Sequence, residues 1–133
     1  MTPTARTLAY LRKLGYEAAV VEKWNMYARI RQDLFGCVDV VGIRPDQNGV
    51  LGIQATTTSN QAARLAKAMS IPHLRTWLQA GNTFQVWGWA KKGAKGKRKL
   101  WEVSIRNVTL AELPFSAAPI PLDEFAPKES THA

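Results

Sequence analysis

Cysteine and histidine are nearly missing from this chain: among 133 residues they are Cys37, His73 and His132 alone. A single thiol excludes an internal disulfide and a cysteine-rich zinc site, and two histidines far apart argue against a histidine-built metal centre. His73, directly after Pro72, reads as a surface or capping residue at a helix start. No apolar run approaches the ~18 residues a membrane-spanning helix needs, and the N-terminus has no apolar signal core, so a cytoplasmic location is expected. Acidic residues are scarce as well: 10 Asp and Glu stand against 18 Lys and Arg, a formal net charge of +8. That imbalance points to a polyanionic partner, most simply nucleic acid. A membrane surface is disfavoured, because no long amphipathic basic helix is present.

What is present is a folding core. At 46% hydrophobic residues and 133 in all, the chain has enough apolar surface for one domain without staples. Residues 4–14 place Leu8, Leu11 and Leu14 at helical spacing, with Thr4 as the expected cap and Gly15 as the stop. Three strands are expected next: 16–24, then 29–43 with a bend near Leu34-Phe35-Gly36, then 49–56. A turn over 25–28 and a hairpin loop over 45–49 separate them. Ser59 is the expected cap of a helix over 60–69, and a shorter helix over 73–80 follows Pro72 and closes at Gly81. Strands over 83–90 and 100–105 flank a loop of lysine and glycine. The order αβββαββ implies an α/β (α+β) fold, a mixed sheet of about five strands flanked by helices. From Pro114 onward four prolines interrupt any periodicity, which divides the chain into a domain over 1–113 and an extended tail over 114–133.

Polar side chains inside the greasy segments carry the chemistry. Asp39 interrupts Cys37-Val38-Asp39-Val40-Val41, and Gln54 interrupts Val50-Leu51-Gly52-Ile53-Gln54. Buried polar groups are costly unless paired or used. If the second and third strands pair, both side chains reach one sheet edge, where a carboxylate and an amide oxygen suit a hard cation such as Mg²⁺ or Mn²⁺. The competing reading pairs Asp39 with Arg29 or Arg31 and leaves Gln54 bonded to a neighbouring strand.

The order of elements, the apolar-Asp-apolar strand and the next strand ending in Gln54-Ala55-Thr56 resemble the PD-(D/E)XK nuclease superfamily. The likeness covers residues 4–110 and is nearest to the small resolvase-like members, including Holliday junction resolvases and phage-encoded relatives. It implies a restriction-endonuclease-like fold, a Mg²⁺- or Mn²⁺-dependent endonuclease acting on DNA, branched or duplex, and a homodimer. Carried over by position, Asp39 matches the metal-binding aspartate, Gln54 stands where the second acid belongs, and Thr56 stands where the lysine belongs. Gln for Glu removes a negative charge from the metal site, and Thr for Lys removes the cation that orients the attacking water. Lys23 and Lys67 are candidate replacements for that cation. Glu22, Glu17 or Asp33 is a candidate for the missing carboxylate; Asp33 lies six residues before Asp39, which on an unbent strand shares its face.

Two basic features extend the reading. Thr56-Thr57-Thr58-Ser59-Asn60 precedes a helix, and hydroxyls there either cap it or seat a phosphate. Thr58, Ser59, Arg64 and Lys67 are the candidate backbone contacts of that segment. Residues 91–99 hold six cations in nine positions, Lys91, Lys92, Lys95, Lys97, Arg98 and Lys99, suited to a phosphate backbone or simply to solvent. Tryptophans at strand alternation read first as core, with Trp89 and Trp101 beside the lysine loop as candidates for base stacking. Three functions follow: a resolvase-like or phage-type endonuclease, a catalytically inactive nucleic-acid-binding module on the same fold, and a protein-interaction factor such as a phage-type inhibitor.

Overall fold

Thr2 and Pro3 open the first helix. The Thr2 hydroxyl accepts from the Ala5 backbone N–H at 3.1 Å, and Pro3 sits in the first turn, where a missing N–H costs nothing. Helix α1 therefore spans Pro3–Lys13 and is capped by Thr2, upstream of the expected Thr4. The computed structural model describes residues 1–113, so the tail expected over 114–133 lies outside the described residues.

Strands follow in chain order: β1 (Glu17–Val20), β2 (Lys23–Asn25), β3 (Ile30–Gln32), β4 (Val40–Ile43) and β5 (Leu51–Thr57). A 3-10 turn over Thr58–Asn60 leads into α2 (Gln61–Met69) and α3 (Pro72–Gln79), and β6 (Thr83–Lys92) and β7 (Leu100–Val108) complete the domain. Five strands form one mixed sheet in the order β1-β4-β5-β6-β7, in which only β5 and β6 run parallel. Parallel neighbours need a crossover, and the α2–α3 segment supplies it. The result is the mixed α+β sheet flanked by helices that the element order implies.

Two of the three strands expected before residue 60 are interrupted. The first leaves the sheet after Val20, and its continuation, β2, pairs only with β3 as a separate two-stranded hairpin. Asn25 shapes the tip: its side-chain oxygen accepts from the N–H groups of Tyr27 and Ala28, both at 3.0 Å. The second interruption is the bend expected near Gly36. Phe35 and Gly36 take φ of 55° and 80°, and Leu34 and Val38 then face each other as an antiparallel bridge. β-pattern alone cannot distinguish such a fold-back from a continuous strand.

The core lies on both faces of the sheet. Phe84 and Val86 of β6 point toward α2 and α3, where Val38, Ala68 and Leu74 meet them. Trp87 and Trp89 point to the other face, with Leu11 of α1, Val40 and Ile53. Burial of each such large side chain contributes about 1.5–3 kcal/mol. Trp89 also donates from Nε1 to the Thr7 hydroxyl at 2.9 Å, and Thr7, in the middle of α1, has no exposed surface. No helix among the described residues is long and apolar enough to cross a membrane.

At Gly52 of β5 a side chain of α3 packs directly on the strand backbone. A Cβ there meets Trp77 Cζ2 at 2.8 Å and Val38 Cγ2 at 3.2 Å. The Trp77 indole cannot easily give way, because its Nε1 donates to the Thr83 carbonyl at 2.7 Å. Gly52→Ala is expected to lower unfolding stability by about 2 kcal/mol, the cost of overpacking, read from the urea midpoint.

Candidate functional site

β4 begins at Val40, and Asp39 takes the position just before it, opposite Gln54 of β5. There its side chain substitutes for a backbone acceptor: Oδ2 accepts from the Ala55 N–H at 2.9 Å, while the Asp39 N–H donates to the Ile53 carbonyl at 2.8 Å. Asp39 Oδ2 also accepts from the Gln54 side-chain nitrogen at 2.9 Å. Its other oxygen, Oδ1, is buried with no hydrogen-bond partner among the described residues.

Asp33 and Glu22 join it. Leu34 and Val38 bridge, so Asp33 and Asp39 stand one position outside that bridge and face each other across it. The fold-back, and not the strand parity considered from sequence, brings them together. Glu22 arrives from the segment between β1 and β2, just after Val21 donates its N–H to the Asp39 carbonyl at 2.8 Å. One carboxylate oxygen from each of Glu22, Asp33 and Asp39 lies within 4.8 Å of the other two, an arrangement that can hold a metal ion. The orphaned, buried Oδ1 of Asp39 and the all-oxygen donor set fit a hard divalent cation.

Three carboxylates this close repel each other as anions. Burial first, then the neighbouring Asp33 and the charge of Glu22, push Asp39 up to about 8, against the one lowering contact from the Ala55 N–H. Burial, then the charges of Asp33 and Asp39, push the Cys37 thiol up to about 11, so it stays protonated and inert.

Gln54 enters differently from expectation. The sequence reading makes its amide oxygen a metal ligand. In the structure its nitrogen faces the acids and donates to Asp39 Oδ2 and to Asp33 Oδ2, at 2.9 and 3.2 Å. A neutral donor between two carboxylates removes part of their repulsion, which an oxygen in that place would increase. The arginine alternative is also corrected: Arg31 pairs with Glu22 at 2.8 Å, and no arginine pairs with Asp39 among the described residues. Thr56 is buried on the same face of β5 as Gln54. Lys23 and Lys67 are not buried, and neither makes an ion pair with the cluster among the described residues.

The hydroxyl segment does not cap α2 as expected. The 3-10 turn holds Ser59 too early to reach the first N–H groups of the helix; its Oγ instead lies 3.0 Å from Thr57 Oγ1, and α2 has no side-chain cap bond. Thr58 Oγ1 is buried without a partner among the described residues. Gln61 seats the helix start by donating to the carbonyls of Val86 and Ser104, at 3.1 and 2.8 Å. Arg64 and Lys67 lie on α2 and are exposed.

The basic segment is a hairpin arm. β5 ends its pairing at Thr57 opposite Trp89, and β6 continues through Lys92, so Lys91 and Lys92 belong to the strand and residues 93–99 form the loop. Lys91, Lys92, Lys95, Lys97, Arg98 and Lys99 are all exposed. The arm leaves the sheet beyond the carboxyl end of β5, whose middle residue is Gln54. Trp89 is buried and unavailable for stacking, whereas Trp101 is 41% exposed and covered by the Arg6 guanidinium, 3.7 Å from its ring centre.

Two features escape a sequence reading focused on the acids. Arg31 is the partner of Glu22, and the β2–β3 hairpin lifts Trp24, Met26 and Tyr27 into solvent. The available signal is the alternation of cations and aromatics over residues 23–31, which hold Lys23, Trp24, Tyr27, Arg29 and Arg31 and no acid. A scan against protein-family models finds no match to this chain, and searches of curated proteins and of solved structures find none either.

Proposed function

We propose that this protein is a DNA-processing nuclease of the PD-(D/E)XK type, acting on phosphodiester bonds with Mg²⁺ or Mn²⁺ held by Asp39, Asp33 and Glu22. The observation that carries the reading is the buried, partnerless Asp39 Oδ1 within a three-carboxylate cluster. The chain also carries six exposed cations over residues 91–99, the charge a phosphate backbone calls for. A divalent cation held by Asp39, Asp33 and Glu22 would supply Lewis-acid chemistry, polarising a phosphate and lowering the pKa of a water. The chain's own residues prepare the site. The Ala55 N–H and the Gln54 amide fix the Asp39 carboxylate, Gln54 also aligns Asp33, and Arg31 holds Glu22. Thr56 positions the phosphate or water in place of the lysine. The 91–99 arm, Ser59, Arg64 and Lys67 hold the DNA backbone, whereas the buried Thr58 hydroxyl is out of a phosphate's reach, and a homodimer is the implied assembly.

A second reading keeps the fold and DNA binding without scission. It is favoured by Gln54, whose donor group cross-links the two aspartates without any cation. The two separate on four-way junction, single-stranded and duplex DNA incubated with Mg²⁺, Mn²⁺ or chelator. Metal-dependent products establish the nuclease. Salt-sensitive retention with no product establishes the inactive module. Absence of binding at moderate salt sinks both and leaves a protein-interaction role for the basic surface.

A further inference from the structure

We propose that the β2–β3 hairpin is an arm that takes an unstacked base of branched or single-stranded DNA against Tyr27 and Trp24, beside the carboxylate cluster. This role rests on DNA being the ligand, as proposed above, and it specifies the kind of DNA.

The hairpin is an isolated piece of sheet. β2 and β3 pair only with each other, and two strands alone are marginal in water. Yet the hairpin presents apolar side chains to solvent: Tyr27 is 102% exposed, Met26 77%, Trp24 54% and Ile30 51%. Large apolar side chains this exposed on one hairpin, Met26 and Tyr27 at its tip and Trp24 on the strand leading to it, mark an interaction surface. Its charge selects the partner. Residues 23–31 carry Lys23, Arg29 and Arg31 and no acid. A second copy docked on this tip would bring the cations of both hairpins together, whereas a polyanion with exposed ring faces satisfies both the cations and the aromatics.

Geometry connects the arm to the acids. Trp24 and Arg31 are direct cross-strand partners, and with Val20 and Glu22 they line a cleft of about 250 Å³. Glu22 also belongs to the carboxylate cluster, so one side chain is shared by the cleft and the acids. The tip is ordered in advance by the two bonds from the Tyr27 and Ala28 N–H groups to Asn25, which lowers the entropy cost of stacking. Fully paired duplex keeps its ring faces stacked inside the helix. A junction, flap or single strand exposes them.

The test is binding in chelator, where no scission occurs, read by anisotropy on junction, single-stranded and duplex DNA. Tyr27→Ala and Trp24→Ala are each expected to weaken junction and single-strand binding about tenfold, with duplex within about twofold, and Tyr27→Phe to restore it. A 2-aminopurine at the branch point is expected to be quenched by the wild-type protein and not by Tyr27→Ala. Unchanged affinities, equal losses on all three DNAs, or a dimer that Tyr27→Ala converts to monomer would each overturn the proposal. Tyr27 is fully exposed, so the variant retains the fold, checked by circular dichroism. Failure to cleave in Mg²⁺ sinks the nuclease reading and leaves this one standing. Robust cleavage with arm-independent binding does the reverse.

Discussion

Asp39→Asn is expected to abolish metal-dependent scission, by more than about a thousandfold, while making the metal-free protein more stable at pH 8. The two effects have one cause. The Asp39 carboxyl holds its proton up to about pH 8, because burial and the neighbouring Asp33 and Glu22 disfavour the anion. In the unfolded chain the same group ionises near pH 4. Between those values the folded state binds the extra proton, so stability falls as pH rises from about 4 to about 8. Each unit of displacement is worth about 1.4 kcal/mol, and the neutral amide removes that cost. A gain in melting temperature on the order of 10 °C at pH 8, shrinking toward nothing at pH 4, is the expected calorimetric result. In the wild type, Mg²⁺ or Mn²⁺ is expected to raise the melting temperature more at pH 8 than at pH 6, since cation and proton compete for the same carboxylate. A pH-independent response, or an asparagine variant less stable at pH 8, removes Asp39 from the centre of the site.

The second large effect belongs to the basic arm. Replacing Lys95, Lys97, Arg98 and Lys99 together with alanine is expected to weaken DNA binding by about 10²–10³-fold at ~0.1 M salt. The slope of log K against log salt is expected to become shallower by about 0.9 for each phosphate that the variant leaves unneutralised. These four side chains are exposed and take no part in the core, so folding stability should change by less than about 0.5 kcal/mol. Measuring the salt slope for wild type and variant separates DNA-backbone binding from a merely solvated loop. An unchanged slope assigns the arm to solvent.

Much of the site is legible in the chain because polar residues stand out in apolar strands. Asp39 and Gln54 attract notice as interruptions, and the structure places them 2.9 Å apart. Asp33 and Glu22 are recognisable as the nearest spare acids, but what unites them is a fold-back closed by Leu34 and Val38. Alternation with a period of two is the same in a continuous strand and in two short ones, so it cannot report that change of direction. For the same reason β1 and β2 read as one strand, although β2 pairs outside the main sheet. The direction of the Gln54 amide is beyond the reach of sequence, since residue identity says nothing about which end faces a carboxylate until the number of nearby acids is known. The tryptophans divide by partner: Trp89 finds the Thr7 hydroxyl within the core, and Trp24 stays half in solvent on its separate hairpin.

The Thr7–Trp89 bond has a mechanical meaning. It rivets the middle of the first helix to the strand that becomes the basic arm, only a few residues before that arm leaves the sheet. Any swing of the cationic loop must therefore pivot outside this rivet, within residues 93–99, whose half-length spans roughly 10 Å at most. The cationic loop moves about a fixed root, and its reach is set by its own length alone.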